Sequence, residues 1–148
     1  MAEAAIGRIC NELADAIRAA GITDVTKRYV AFTDASDLAA RRVVVVPRNT
    51  RFDNARRDAL RTTHEIWIYV QQQVDANDTT TIENLVKTAE TIAGLWDNDG
   101  SLRDAKLNGY SHDGQLEYDM DELYDIEDLT NSGQFSSVLI VRYQNYGN

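Results

Sequence analysis

The sequence predicts an α+β domain: a mostly antiparallel sheet of four to five strands, two of them extended into a long hairpin arm, packed against two helices. Three observations carry this expectation. Val43, Val44, Val45 and Val46 run without a break into Pro47, a pattern suited to a strand buried on both faces and stopped by a residue that cannot donate to a ladder. Residues 62–74 then place Ile66, Ile68 and Val70 on one face of a strand, with Trp67 and Tyr69 on the other. Apolar residues recur at helical spacing in two further stretches, one near the start of the chain and one after residue 79. A chain of 148 residues forms one domain, spanning 1–148, that buries about 70% of the surface its unfolded form exposes.

Residues 3–20 are predicted to form the first helix. Ile6, Ile9, Cys10, Leu13 and Ile17 make one apolar stripe, Arg18 lies near the negative end of the dipole, and Gly21 follows as a cap. Cys10 on that stripe reads as a core residue rather than a nucleophile. Residues 25–32 are predicted to be a strand with Val30 and Phe32 on one face and Tyr29 on the other, and 34–40 a turn or short helical piece. Between the valine strand and the long strand, Arg48, Arg51, Arg56, Arg57 and Arg61 crowd an arm balanced only by Asp53 and Asp58. One reading of the arm is a solvated loop with a helical turn around Asn54–Leu60, and the other is a basic arm that reaches an acidic neighbour.

After the long strand, 75–78 form a turn from which Asp78 or Thr79 caps a helix over 80–95. Ile82, Leu85, Val86, Ala89, Ile92, Ala93 and Trp96 are its buried stripe, and 97–100 form the turn that ends it. Residues 102–109 are predicted as an edge strand and 111–114 as a turn. Residues 117–128 hold seven acids and no base, interleaved with Tyr118, Met120, Leu123, Tyr124 and Ile126, so the segment both packs and repels. Asn131, Ser132 and Gly133 break the chain before a last strand over 134–143, whose Phe135, Ser137, Leu139 and Val141 alternate against Ser136, Val138, Ile140 and Arg142.

The net charge of −9 is unevenly spread. Residues 1–73 carry 11 Lys/Arg against 9 Asp/Glu, whereas 74–148 carry 4 against 15. A protein that grips DNA shows a basic excess, because phosphate neutralisation supplies most of its affinity, so general nucleic-acid binding does not fit. Self-assembly of a basic face on an acidic one does. No run reaches the roughly 18 apolar residues a membrane helix needs, and the first residues show no secretion-signal pattern. One cysteine cannot build an intramolecular disulfide framework and suits a reducing compartment.

No catalytic signature emerges. One cysteine with His64 and His112 cannot supply the four close ligands of structural zinc, and 97–100 fail as a calcium loop because Leu95 and Lys106 fall at its first and last ligand positions. No glycine-rich phosphate loop and no strand–turn–helix elbow around a serine is present. His64 beside Glu65 reads as a structural hydrogen-bonding residue. The expectation is a protein that is not an enzyme and carries neither metal nor cofactor.

Several short words of the sequence carry a family likeness. These are the amphipathic first helix, Arg28-Tyr29-Val30, the valine strand ending in Pro47 and the arginine-bearing arm. They continue with His64-Glu65-Ile66-Trp67-Ile68-Tyr69-Val70, Gln71-Gln72-Gln73-Val74-Asp75, the long second helix and Phe135-Ser136-Ser137-Val138-Leu139. Over nearly its whole length the chain resembles the small tail-terminator, or tail-completion, proteins of tailed bacteriophages. The resemblance implies a homohexameric ring that caps the last ring of the tail tube, stops its growth and offers a docking surface to the head or neck. The partners it implies are other copies, the tail tube protein and a neck or head-completion protein. On this reading Arg48, Arg51, Arg56, Arg57 and Arg61 contact a neighbouring subunit or the tube. Asp119, Asp121, Glu122 and Asp125 face that arm or line a channel through which DNA slides without specific binding. A head-closure or adaptor protein on the twelvefold portal is the nearer alternative. A small enzyme or ligand-binding domain, which needs a deep pocket with convergent polar groups, is the more distant one.

Overall fold

The computed structural model of the protein describes residues 4–56 and 59–146. The chain is α+β, and among the described residues it has three α-helices and a seven-stranded sheet. The elements are α1 (Ala5–Ala19), β1 (Val25–Lys27), β2 (Arg42–Arg56), β3 (Ala59–Gln73), α2 (Thr79–Ala93), β4 (Lys106–Leu107), β5 (Tyr110–His112), β6 (Glu117–Tyr118), α3 (Ile126–Ser132) and β7 (Gln134–Tyr146). The strand order is β1-β2-β3-β7-β5-β4, with β6 pairing separately along β7. Only β1 and β2 run parallel, so the sheet is mixed, and the short strands β4, β5 and β6 raise the count above the four to five expected.

Helix α1 forms where its stripe predicts, with Ile9, Cys10, Leu13 and Ile17 fully buried. It ends as anticipated at Gly21. That residue has φ +99°, its N–H bonds the Arg18 carbonyl, and the Ile22 N–H reaches back to the Ile17 carbonyl. This 6→1 and 5→2 pair needs a left-handed residue that only glycine adopts without strain. Helix α2 starts at the Asp78 cap, whose carboxylate accepts the Thr81 N–H at 3.1 Å. It passes into a 3-10 turn, Gly94–Trp96. Both helices lie on one face of the sheet, where Val43 and Val45, Ile66, Ile68 and Val70, and Phe135, Leu139, Val141 and Tyr143 meet them in one core.

The valines are buried on both faces, as their run predicts, but the reason on the far face lies elsewhere in the sequence. Val44, Val46 and Ile140 are buried outside the helix-side core. The 3-10 turn Ala35–Leu38 lies against β3 on this side, and its Leu38 is fully buried. Gln71 clamps the same segment, donating to the Phe32 carbonyl at 3.0 Å and accepting the Phe32 N–H at 3.2 Å. Residues 25–32 therefore do not form one strand. β1 stops at Lys27, the Arg28 N–H makes a last bond to the Val45 carbonyl, and the chain then crosses the sheet with Tyr29 and Val30 exposed.

Pro47 does not end β2, because the strand continues through it to Arg56. Val43 donates to Asp24 and Val45 accepts from Arg28, so odd positions of β2 turn their polar groups toward β1. Pro47 falls in that series beyond the last residue of β1, where no neighbour asks for a donor, and a register shift follows it immediately. The arm is thus a paired ribbon, with Phe52 opposite Thr62, Asn54 opposite Leu60 and Arg56 opposite Ala59. Of the helical turn expected around Asn54–Leu60, every described residue is instead in a strand of the ribbon, and Arg57 and Asp58 lie outside the described residues.

Residues 102–109 are not one edge strand either. Lys106–Leu107 and Tyr110–His112 form a small hairpin around Asn108 and Gly109, both at positive φ, the signature of a two-residue type I′ turn. The predicted turn at 111–114 begins two residues later than expected, because Ser111 and His112 pair with β7. The last strand keeps its predicted faces and extends to Tyr146.

Candidate functional site

The face of the sheet away from the helices carries a half-buried side-chain assembly. Trp67 and Tyr69 of β3 alternate onto this face with Glu65, and Ser136, Val138 and Arg142 of β7 stand beside them. Trp67 is held at both ends of its indole. Its Nε1–H donates to Glu65 Oε2 at 3.0 Å, and the Arg48 guanidinium lies over the ring, 4.3 Å from its centroid. Glu65 also accepts from Arg142, which donates onward to Glu117 at 2.7 Å, so β3, β7 and β6 are tied by one chain of charges. Burial works against the Arg142 charge, but the bonds to Glu117 and Glu65 outweigh it and the net shift is upward.

Beside Trp67 the face dips into a groove of about 210 Å³ lined by Trp67, Tyr69, Asp119, Met120, Glu122, Asp125, Ser136 and Val138. Its outer wall comes from Asp119 and Met120 of the 3-10 turn Asp119–Asp121, in which Met120 and Asp121 both have φ +57°. Two consecutive non-glycine residues in the left-handed region are strained and hold the Met120 side chain out, 83% exposed, at the lip. The Tyr69 phenol has a raised pKa. Burial pushes its pKa up, Arg48 pulls it down and Asp119 pushes it up, so a base of the arm and an acid of the turn act on one phenol.

The predicted acids divide. Asp119, Glu122 and Asp125 line the groove, whereas Asp121 is exposed and not part of the lining. Asp125 has a structural duty as well, since its carboxylate accepts the Asp128 N–H at 2.9 Å and caps α3. The predicted bases divide too. Arg48 packs on Trp67 at the base of the arm, while Arg61 and Arg51 flank Asp53 at 3.1 and 3.7 Å. Register places Arg51 and Arg61 on the same face as Glu65, that of the groove, and the Arg51 side chain is 66% exposed. Arg56 is described only as backbone at the end of β2, and Arg57 lies outside the described residues.

The opposite face of the arm carries apolar groups. Phe52 is 62% exposed and Leu60 44%, and both fall on the His64 side of the ribbon, beyond the core. From Arg48 to Asn54 every residue is exposed or half-buried, and the outer edge of β2 has no described strand beside it past Val45.

Trp67, Tyr69, Met120 and the Glu65–Arg142–Glu117 chain carry no sequence motif. The alternation of β3 gives the face of Trp67 and Tyr69, but nothing local in the sequence brings residues 117–125 to it. Among the described residues no group of three or more His, Cys, Asp or Glu side chains is arranged to hold a metal ion. Among them, too, no helix is long and apolar enough to cross a membrane. No model of a known protein family matches the sequence, and no curated protein matches it.

Proposed function

We propose that this chain is a structural virion protein, a tail terminator of a tailed bacteriophage. Six copies form a ring on the last ring of the tail tube, stop its elongation and provide the joint to the head or neck. The observation that carries this reading is the arm. A ribbon with an unpaired outer edge, exposed Phe52 and Leu60 on one face and arginines on the other is a liability for an isolated molecule and an asset in an assembly. The groove supplies a surface of opposite charge on the same chain, which suits contacts between copies better than chemistry on a small molecule. The overall acidity suits a channel that DNA crosses without sticking. Assembly takes place in the host cytoplasm, and the finished ring sits at the tail–neck junction with tube protein below and a neck or head-completion protein above.

The test is to polymerise tail-tube protein with and without this chain and to measure tube lengths by electron microscopy. Tubes that shorten with increasing dose and carry a terminal ring agree with the proposal. Tubes of unchanged length and bare ends refute it, and binding to portal rings instead moves the assignment to the neck adaptor.

A further inference from the structure

We propose that the arm of one copy lies on the acidic–aromatic groove of another, with Arg51 seated against Tyr69 between Asp119 and Glu122. The inference rests on the self-assembly reading and names the surfaces that meet. The groove carries three carboxylates, two aromatic rings and one exposed methionine, a lining that attracts a flat cation and covers its alkyl stem. Arg48 already shows the mode of seating, since its guanidinium lies on Trp67 at the neighbouring rim. Arg48 covers that indole from its own chain, whereas Met120 at the groove's lip stands exposed.

The complement is on the same molecule. Arg51 projects from the groove-side face of the arm, and its salt bridge to Asp53 is a long one, at 3.7 Å. Phe52 and Leu60 lie on the other face of the arm and point away from this contact, so charge and the aromatic lining carry it. Charge fixes the orientation, arm to groove, because arm on arm or groove on groove would bring like charges together.

The test uses two full-length variants that each gain one cysteine beside the contact and keep Arg51 and the carboxylates. They are Asn49→Cys on the groove-side face of the arm and Met120→Cys at the groove's lip, carrying tags of different mass and mixed under mild oxidation. The native Cys10 is fully buried in the α1 core and does not compete. Asn49 and Met120 are both exposed, so neither change touches the core. The expected result is a mixed disulfide between positions 49 and 120, formed several-fold more than either homotypic product and lost when Asp119→Lys is added to the Met120→Cys chain. Assembly at the native mass without the mixed product overturns this contact and leaves self-assembly standing. A monomer at every concentration, with no cross-link even when tail-tube protein is present, overturns both.

Discussion

The most informative single substitution inside the fold is Tyr143→Phe. Tyr143 is fully buried in β7, and its hydroxyl accepts the Trp96 Nε1–H at 3.0 Å, pinning the 3-10 turn after α2 to the sheet. Burial pushes its phenol up to about 12, so the group stays neutral over any ordinary working range. Phenylalanine keeps the ring and removes only the acceptor, and the indole N–H is then buried without a partner. That desolvation costs about 1–3 kcal/mol. For a domain of this length each kcal/mol moves Tm by about 2–4 °C, so the variant should melt roughly 2–12 °C lower. The assay is urea or thermal unfolding followed by fluorescence and circular dichroism, completed as a cycle with Trp96→Phe. In the Trp96→Phe background the second change should be nearly neutral, giving a coupling of about 1 kcal/mol or more. Equal effects of Tyr143→Phe in both backgrounds would refute the pinning argument and mean that water reaches the indole nitrogen.

Two histidines set an acid limit. His64 Nδ1 shares a hydrogen with Thr50 Oγ1 at 2.8 Å and its ring meets the Tyr110 ring edge-on. His112 lies between Trp96 and Tyr143 and accepts the Gly114 N–H. Nε2 of each has no hydrogen-bond partner among the described residues. Burial lowers both pKa values, with Asp113 partly opposing this at His112. The unfolded chain therefore binds more protons than the folded one as pH falls below about 6.5, and stability should drop from there downward. Unfolding curves between pH 7 and 5 check this, and replacing both histidines with glutamine should flatten the slope. The Asp24–Arg41 pair, whose carboxyl is held low mainly by the Arg41 hydrogen bond, adds its own loss only below about pH 4. Gly100→Ala should be more damaging than its place in a turn suggests. A Cβ there would overlap the Leu95 carbonyl oxygen, which accepts the Leu102 N–H, so backbone must move and that bond must break. A loss of about 1–3 kcal/mol in urea unfolding is expected, and an unchanged midpoint would contradict the geometry.

Local rules account for most of what the sequence foretold. The stripe of α1 with its Gly21 end, the Asp78 cap and the alternation of β7 each follow from a few neighbouring residues. Gly133, at φ +63°, falls at the expected break, but α3 before it is a third helix beside the two expected and was not foretold. What escaped is non-local. The arm is written in polar letters because both its faces meet water over much of its length, so no apolar period marks it as strand. Tyr29 and Val30 look like strand residues, but β2 offers a partner only as far as Val45, and Gln71 draws the following segment over the other face. The Asn108-Gly109 dipeptide carries a turn signal that the expected edge strand over 102–109 passed over. The groove was only half legible. The face of Trp67 and Tyr69 follows from alternation, whereas its outer wall arrives from far downstream through the pairing of β6 with β7.

The central claim, that copies of this chain close into a sixfold ring, is tested most directly by mass. Mass photometry over a concentration series, with negative-stain imaging, should show a species of about 100 kDa from subunits of 16.6 kDa, with sixfold averages. A monomer that persists at every concentration, and still ignores added tail-tube protein, would contradict it.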